Sequence, residues 1–145
     1  MSAKSYDEQN IFARIMRGEL PAAKIYEDED VFVILDVMPQ APGHTLVLPK
    51  APSRNLLDIR ADQLQKLILA VQRIARAVQK AFDAPGVTVM QFNEPAAGQT
   101  VFHTHFHVIP RQEGVALKPH SGQMADKDEL EKQAFALRAV LGGAA

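Results

Sequence analysis

The sequence predicts one mixed domain in which strands and amphipathic helices surround a single core. Two observations carry this prediction. Residues 101 to 110 alternate with a period of two, which is typical of a strand, and residues 61 to 82 repeat apolar positions at spacings of three and four, which is typical of a helix. At 145 residues, 47% of them hydrophobic, the chain can bury a core without stabilising cross-links such as disulfides. No repeat or linker divides it, so we expect one domain over residues 1 to 145.

The composition limits the possible functions. The chain has no cysteine, which excludes disulfides and cysteine-based zinc sites and suits a reducing compartment. It has neither an apolar signal region at its start nor a run of about 18 apolar residues that could span a bilayer, so we expect a cytoplasmic protein without a membrane partner. A net charge of −1 gives no general attraction to nucleic acid, so any phosphate recognition must be local.

The first half of the chain predicts one short helix and three strands. Asn10 can cap the helix, and Gly18 suits its end. Residues 23 to 27 and 31 to 36 predict a hairpin across an acidic turn, and residues 44 to 49 predict the next strand. The apolar stripe of the short helix consists of Ile11, Phe12, Ile15 and Met16.

A proline-rich loop joins the second and third of these strands, and a polar residue stands at each of its ends. Asp36 ends one strand and His44 begins the next, so both side chains could face a binding site. The alternative for Asp36 is an aspartate that only stabilises its own turn by bonding to the backbone. These residues by themselves leave both interpretations open.

The second half predicts a long helix, two strands and a C-terminal helix. The long helix, residues 61 to 82, has a basic polar face, which we interpret as a solvated surface because no aromatic residues accompany it. Residues 87 to 93 predict a strand. The last helix, near residues 127 to 141, begins at Asp126, and Glu129 three positions later completes a capping box.

Three of the five histidines stand at every second position of the strand predicted at residues 101 to 110. His103, His105 and His107 would share one face at a spacing of about 6.5 to 7 Å. A surface strand that happens to carry histidines is one alternative, and three in register count against it. Zinc binding is another, but the outer imidazoles would lie about 13 Å apart, too far to converge readily on one ion. The opposite face, predicted to meet the core, carries Phe102, Thr104, Phe106 and Val108.

The turn before this strand, residues 94 to 100, contains small residues around Gly98. Small residues let backbone amides approach an anion closely, and a nest of such amides can hold phosphate oxygens. Its position directly before the histidines favours a phosphate site shared by amides and imidazoles. His120 lies in a later loop, and we expect it to be a solvent-exposed bystander.

These motifs resemble the histidine triad family of nucleotide hydrolases and transferases. The family pattern His-φ-His-φ-His-φ-φ, in which φ is apolar, is similar to residues 103 to 109, and Thr104 is the one departure. Residues 36 to 50 and 97 to 101 resemble the family segments before the long helix and before the triad. The resemblance covers nearly the whole chain. It implies an α+β fold with a five-stranded antiparallel sheet, one long helix, a short N-terminal helix and a C-terminal helix, usually paired into a homodimer.

The resemblance also implies roles for individual residues around a purine nucleotide. His105 would attack the α-phosphorus and form a nucleotidyl-histidine intermediate, while His103, His107 and His44 would orient it and contact phosphate oxygens. For Ile11, Phe12 and Ile15, packing in the core is the alternative to the implied base pocket. The Thr100 hydroxyl could also serve the leaving group. The other implied contacts are Asp36 at the ribose hydroxyls, Gly98, Gln99 and Thr100 at the phosphate, Asn93 as a less certain nucleotide contact, and Ile11, Phe12, Ile15, Ile34 and Val37 around the base.

The resemblance implies hydrolysis at the α-phosphorus, with no cofactor required and a divalent metal useful only with a polyphosphate substrate. The leaving group stays open. Residues 39 to 42 and 49 to 50 resemble phosphoramidase members, which cleave a P–N bond as in adenosine phosphoramidate, and we favour this activity. Residues 97 to 100 and 107 to 111 resemble the fragile histidine triad branch, which cleaves dinucleoside polyphosphates. A nucleotide-binding regulatory module with little turnover and a zinc-binding protein are alternatives from other classes.

Overall fold

The computed structural model describes residues 5–120 and 123–143, and within them it contains three α-helices and a five-stranded sheet. All strand pairs are antiparallel, in the order β1-β2-β3-β5-β4. The predicted α+β fold is therefore confirmed. The helices are α1 (Ile11–Met16), α2 (Ala61–Ala81) and α3 (Lys127–Gly143), and the strands are β1 (Lys24–Glu27), β2 (Val31–Leu35), β3 (Thr45–Pro49), β4 (Gly86–Met90) and β5 (Phe106–Arg111).

The sheet separates two apolar clusters, because alternate side chains of a strand point to opposite faces. Val33 and Leu35 of β2 belong to the larger cluster, which includes the buried side chains of α2 and α3. Phe32 and Ile34 of the same strand belong to the smaller cluster, together with Phe12 of α1. The central strands are thus buried on both faces, and α1 lies on the face opposite the two long helices.

The ends of the helices follow the predicted capping signals. The Asn10 side chain accepts a hydrogen bond from the Ala13 N–H at 2.9 Å, and Gly18 follows α1 with a φ of 81°. At the start of α3, Asp126 accepts from the Glu129 N–H at 3.1 Å. None of the helices in the described ranges is long and apolar enough to cross a membrane.

The strand predicted through all three triad histidines is wrong in its first half. Residues 101 to 105 are irregular and β5 begins at Phe106, so among the triad histidines only His107 lies in a regular strand. The Thr104 N–H donates to the Ser53 carbonyl at 2.9 Å, in a loop, instead of to a neighbouring strand. Beyond this point the predicted alternation holds, because Phe106 packs against the larger cluster.

The one departure from the apolar triad pattern has a partner inside the protein. Thr104 is fully buried, and its hydroxyl lies 2.6 Å from the Ser53 hydroxyl and 3.2 Å from the Ser53 carbonyl. A buried hydroxyl without a partner would cost about 1–3 kcal/mol, so the pairing with Ser53 makes threonine acceptable at this position.

Part of the apolar stripe predicted on α2 does not reach the core. Leu67, Val71, Ile74 and Val78 are buried, as the pattern predicts, whereas Ile68 is 46% exposed. The predicted strand at residues 87 to 93 also ends early, at Met90.

Candidate active site

A cavity of about 410 Å³ opens on the sheet face that carries α1. This volume lies within the range of ~300–1,000 Å³ that is typical of small-molecule sites. His44, His103 and Asn93 of the predicted site do not line it, although they support residues that do. The predicted site residues that line it are Ile11, Phe12, Ile15, Ile34, Asp36, Val37, Gly98, Gln99, Thr100, His105 and His107.

His105 has one nitrogen engaged and one free. Its Nδ1 lies 2.7 Å from the His103 carbonyl oxygen. A carbonyl only accepts, so Nδ1 carries the hydrogen and Nε2 keeps its lone pair. Burial lowers the pKa of His105, and Phe12 packs edge-on against its ring at 4.8 Å between centroids. The ring is therefore neutral at neutral pH, and Nε2 is an available nucleophile.

His103 lies behind His105 and does not reach the cavity. Its Nε2 donates to the Pro49 carbonyl at 2.8 Å, so its Nδ1 accepts from the Tyr6 hydroxyl at 2.6 Å. The side chain is fully buried, and burial lowers its pKa to about 4. With both nitrogens engaged, His103 fixes the position of the carbonyl that orients His105.

The contact with His44 determines which ring nitrogen of His107 carries the hydrogen. The Gln40 N–H donates to His44 Nδ1 at 3.0 Å, so the hydrogen of neutral His44 lies on Nε2. His44 Nε2 is 2.9 Å from His107 Nδ1, and it therefore donates to it. The His107 hydrogen is then on Nε2, which makes this residue a donor to a ligand in the cavity. Burial lowers the pKa of His44 to about 4 and, with neighbouring imidazoles, that of His107 to about 3.

The Asp36 carboxylate is buried, and both of its oxygens have partners. Oδ1 accepts from the Met38 N–H at 2.8 Å, which is the turn bond considered for this residue. Oδ2 accepts from His120 Nε2 at 2.9 Å. The prediction that His120 is a bystander is wrong, because it lines the cavity and contacts Asp36 even though its side chain is 34% exposed. An isolated histidine 84 positions from its partner gives no sequence signal for this contact.

Asp36, His44 and His107 place possible ligand atoms within 4.8 Å of one another, a spacing that a metal ion could bridge. An imidazole that binds a metal carries its hydrogen on the other nitrogen and donates it to an acceptor. The Gln40 N–H instead points at His44 Nδ1. An ion on His44 Nε2 would put the His44 hydrogen on Nδ1, where it would meet the hydrogen of the Gln40 N–H. The hydrogen-bond directions therefore fit a chain from Gln40 through His44 to His107 and do not fit a metal.

Two amides of the predicted phosphate nest are engaged inside the turn before the triad. The Gly98 N–H donates to the Pro95 carbonyl at 3.0 Å and the Gln99 N–H to the Glu94 carbonyl at 3.2 Å, around a 3-10 turn at Pro95–Ala97. Thr100 is exposed and lines the cavity, and its hydroxyl makes no hydrogen bond within residues 5–120 and 123–143. The buried Gln99 side chain is engaged by Arg54 O (2.8 Å), Val101 O (3.0 Å), Asn55 Nδ2 (3.0 Å) and Glu94 N (2.8 Å).

A loop after β3 supports this turn, and its residues were not predicted. Arg54 donates twice to the Glu94 carboxylate, at 2.7 and 3.0 Å, and its guanidinium lies 4.1 Å from the centre of the Phe102 ring. Asn93 accepts from the Leu56 N–H at 2.9 Å and so belongs to this support. Arg54 and Glu94 are 40 positions apart, so a local sequence pattern does not predict their contact.

Comparisons with known proteins identify the family. A family model described as "HIT domain" matches residues 17–114. A Hit-like protein from Bartonella henselae, described as involved in cell-cycle regulation, superimposes with a TM-score of 0.88 at 54% identity, over 94% of this chain and 99% of that chain. A Zn-bound histidine triad family protein from Mycobacterium smegmatis superimposes with a TM-score of 0.83 at 38% identity, over 94% and 95%.

A curated relative, adenylylsulfatase HINT3 from Arabidopsis thaliana, is 35% identical over 127 residues, which cover 88% of this chain and 64% of that protein. The chain therefore belongs to the histidine triad (HIT) family of nucleotide-binding hydrolases and transferases.

The buried imidazoles predict a loss of stability in mild acid. Burial lowers the pKa of His44 and His103 to about 4, and that of His107 to about 3. In the unfolded chain these groups titrate near ~6.5. Above this pH both states are neutral. Between the two pKa values the unfolded chain binds more protons than the folded chain. Each group therefore lowers the free energy of unfolding by up to about 1.4 kcal/mol for every unit by which the pH falls.

Urea unfolding at about pH 7, 6 and 5 measures this slope. His103→Gln removes one of the four buried imidazoles whose pKa is lowered, so as the pH falls its free energy of unfolding should decrease about one quarter less steeply than that of the wild type. A wild-type free energy of unfolding that stays constant from about pH 7 to 5 would contradict the prediction.

Proposed function

We propose that this protein hydrolyses purine nucleotide derivatives at the α-phosphorus through a nucleotidyl intermediate on His105. The observation that carries the proposal is the hydrogen bond from His105 Nδ1 to the His103 carbonyl at 2.7 Å, which leaves Nε2 free beside the cavity. In the first step Nε2 bonds to phosphorus as the leaving group departs. In the second step water breaks the P–N bond and releases the nucleotide.

Two donors at the cavity can meet the charge on the phosphate oxygens. The tautomer of His107 leaves an N–H on Nε2, and the Thr100 hydroxyl is unpaired within the described residues. A well-placed donor of this kind contributes about 3–4 kcal/mol to a charged transition state. His44, which is fully buried, acts through His107 by holding its tautomer.

The remaining lining suits a nucleoside. The apolar wall formed by Ile11, Ile15 and Ile34 offers a surface for a purine, and Asp36 offers a carboxylate to the ribose. The position of Phe12 is compatible with both roles considered for it, because it is 6% exposed in the smaller core cluster and also borders the cavity beside His105.

Among possible leaving groups we favour a small one on a P–N bond, as in adenosine phosphoramidate. The cavity of about 410 Å³ is near the lower end of small-molecule sites, so the second nucleoside of a dinucleoside polyphosphate would extend beyond it. The relative from Arabidopsis thaliana named an adenylylsulfatase also supports an adenylyl substrate with a small leaving group. A regulatory module would bind the same nucleotides without turnover.

His105→Ala should lower kcat by about a thousandfold or more, because no other imidazole of the triad has a free lone pair, while affinity for adenosine monophosphate changes by less than about threefold. Hydrolysis of adenosine phosphoramidate and calorimetric titration measure the two quantities. Rapid acid quenching of the wild type with a labelled substrate should trap a nucleotidyl-enzyme. If His105→Ala keeps its turnover, or the intermediate never forms, the residue positions a water and is not the nucleophile.

Turnover of adenosine phosphoramidate should persist in a strong chelator, because the hydrogen-bond directions at His44 do not fit a metal. The relative from Mycobacterium smegmatis is Zn-bound, so the activity of this protein without metal has to be measured directly. Parallel assays with a diadenosine polyphosphate, with and without magnesium, separate the two substrate classes. Stoichiometric zinc in the purified protein, lost together with activity, would overturn the metal-free site.

We also propose a homodimer formed by α2 and β4. Ile68 and Leu69 of α2 are 46% and 66% exposed, and Val89 of β4 is 45% exposed. Val89 faces the α2 side of the sheet, since its register partner Val108 lies in the larger cluster. Within the described residues β4 pairs with β5 alone, so its outer edge is open to a second copy.

Ile68→Glu should convert the dimer to a monomer with an unchanged circular dichroism spectrum, because an isologous contact repeats the charge on both subunits. Light scattering at micromolar concentration measures the mass. Lys127→Glu, an exposed change on α3, is the matched control and should stay dimeric. A wild-type protein with a monomer mass would reject the assembly.

A further inference from the structure

We infer that His120 determines specificity for ribose in this site: its imidazole and the Asp36 carboxylate form a pair of acceptors for the two neighbouring ribose hydroxyls. The inference rests on the proposed function, because it concerns how the nucleotide is held. It assigns a role to a histidine that the triad pattern does not contain.

The hydrogen-bond directions leave an acceptor on His120. An ionised carboxylate only accepts, so the ring hydrogen of His120 lies on Nε2, which is 2.9 Å from Asp36 Oδ2. Nδ1 then keeps a lone pair, and it has no hydrogen-bond partner within residues 5–120 and 123–143. The side chain lines the cavity and is 34% exposed, so a ligand can reach it.

Three of the other histidines have the lone pair of Nδ1 engaged by a donor. His103 Nδ1 accepts from Tyr6, His44 Nδ1 accepts from Gln40, and His107 Nδ1 accepts from His44. His105 Nε2 and His120 Nδ1 are therefore the two imidazole lone pairs left without a partner within the described residues. The first belongs to the proposed nucleophile. The second lies beside the carboxylate that is offered to the sugar.

Backbone contacts hold His120 against Asp36. Before His120, the Lys118 N–H donates to the Gln40 carbonyl at 2.8 Å, and the Gln40 side chain donates to the Lys118 carbonyl at 3.2 Å. After it, the Ala125 N–H donates to the Val37 carbonyl at 2.8 Å. The segment that carries His120 is thus tied on both sides to the loop that carries Asp36, so the two side chains form one surface.

This surface matches a vicinal diol. Each ribose hydroxyl is a donor, and Asp36 already accepts from the Met38 N–H and from His120. The free lone pairs of the carboxylate can take one hydroxyl, and His120 Nδ1 can take its neighbour. A 2′-deoxyribose lacks one donor and leaves one of these acceptors unpaired, which lowers its affinity.

The test measures the affinities of adenosine monophosphate and of 2′-deoxyadenosine monophosphate by calorimetry. The wild type should prefer the ribonucleotide. His120→Ala should weaken ribonucleotide binding by about tenfold and deoxyribonucleotide binding much less, so that the preference largely disappears. His120→Asn should recover part of it, because its amide oxygen can stand near the position of Nδ1. With adenosine phosphoramidate, His120→Ala should raise KM and leave kcat within about twofold, because the contact inferred for His120 is with the sugar and not with the phosphorus.

Lys118→Ala is the matched control, since it lies in the same loop and keeps the backbone contacts with Gln40. It should retain the wild-type preference. If His120→Ala weakens both nucleotides equally, or neither, the nucleotide site stands and the role of His120 in ribose recognition is rejected. If the wild type binds neither nucleotide, the proposed function itself fails, and the inference about His120 fails with it.

Discussion

The hydrogen bond from His105 Nδ1 to the His103 carbonyl is the contact on which the rest of the site depends. It fixes the tautomer that leaves Nε2 as a lone pair. A regular strand could not offer this contact, because the His103 carbonyl would then pair with a neighbouring strand. The irregular backbone of residues 101 to 105 frees that carbonyl, and the buried bonds of His103 to Pro49 and Tyr6 hold it in place.

Burial and hydrogen-bond direction together keep the triad imidazoles and His44 uncharged and fix their tautomers. Desolvation lowers the pKa of each triad histidine and of His44. Each ring then has one hydrogen, and its partner decides which nitrogen carries it. The backbone N–H of Gln40 fixes the tautomer of His44, and His44 fixes the tautomer of His107. A single amide therefore determines the donor that His107 presents to the cavity.

Two loops support the two ends of the cavity. Gln40 joins the segment before β3 to the loop of His120, through bonds to His44 and to Lys118. At the other end, Arg54 and Gln99 hold the turn that leads to the triad, where Glu94 has a φ of 75° that is uncommon for a residue other than glycine. The internal bonds of this turn engage the Gly98 and Gln99 amides, and within the described residues the Thr100 hydroxyl is left as a free donor.

The sequence by itself determined the helices, most of each strand and the segment in which three histidines stand together. These follow from local patterns: the period of apolar residues, the caps at Asn10 and Asp126, and the alternation of histidines. Tertiary structure alone decided which nitrogen of each imidazole is free, and it brought His120 to Asp36 across 84 positions and Arg54 to Glu94 across 40. It also moved the start of the histidine strand to Phe106, because Ser53, and not a neighbouring strand, is the partner of Thr104. Such contacts depend on where loops meet in space, and the periodic pattern of residues along the chain does not predict them.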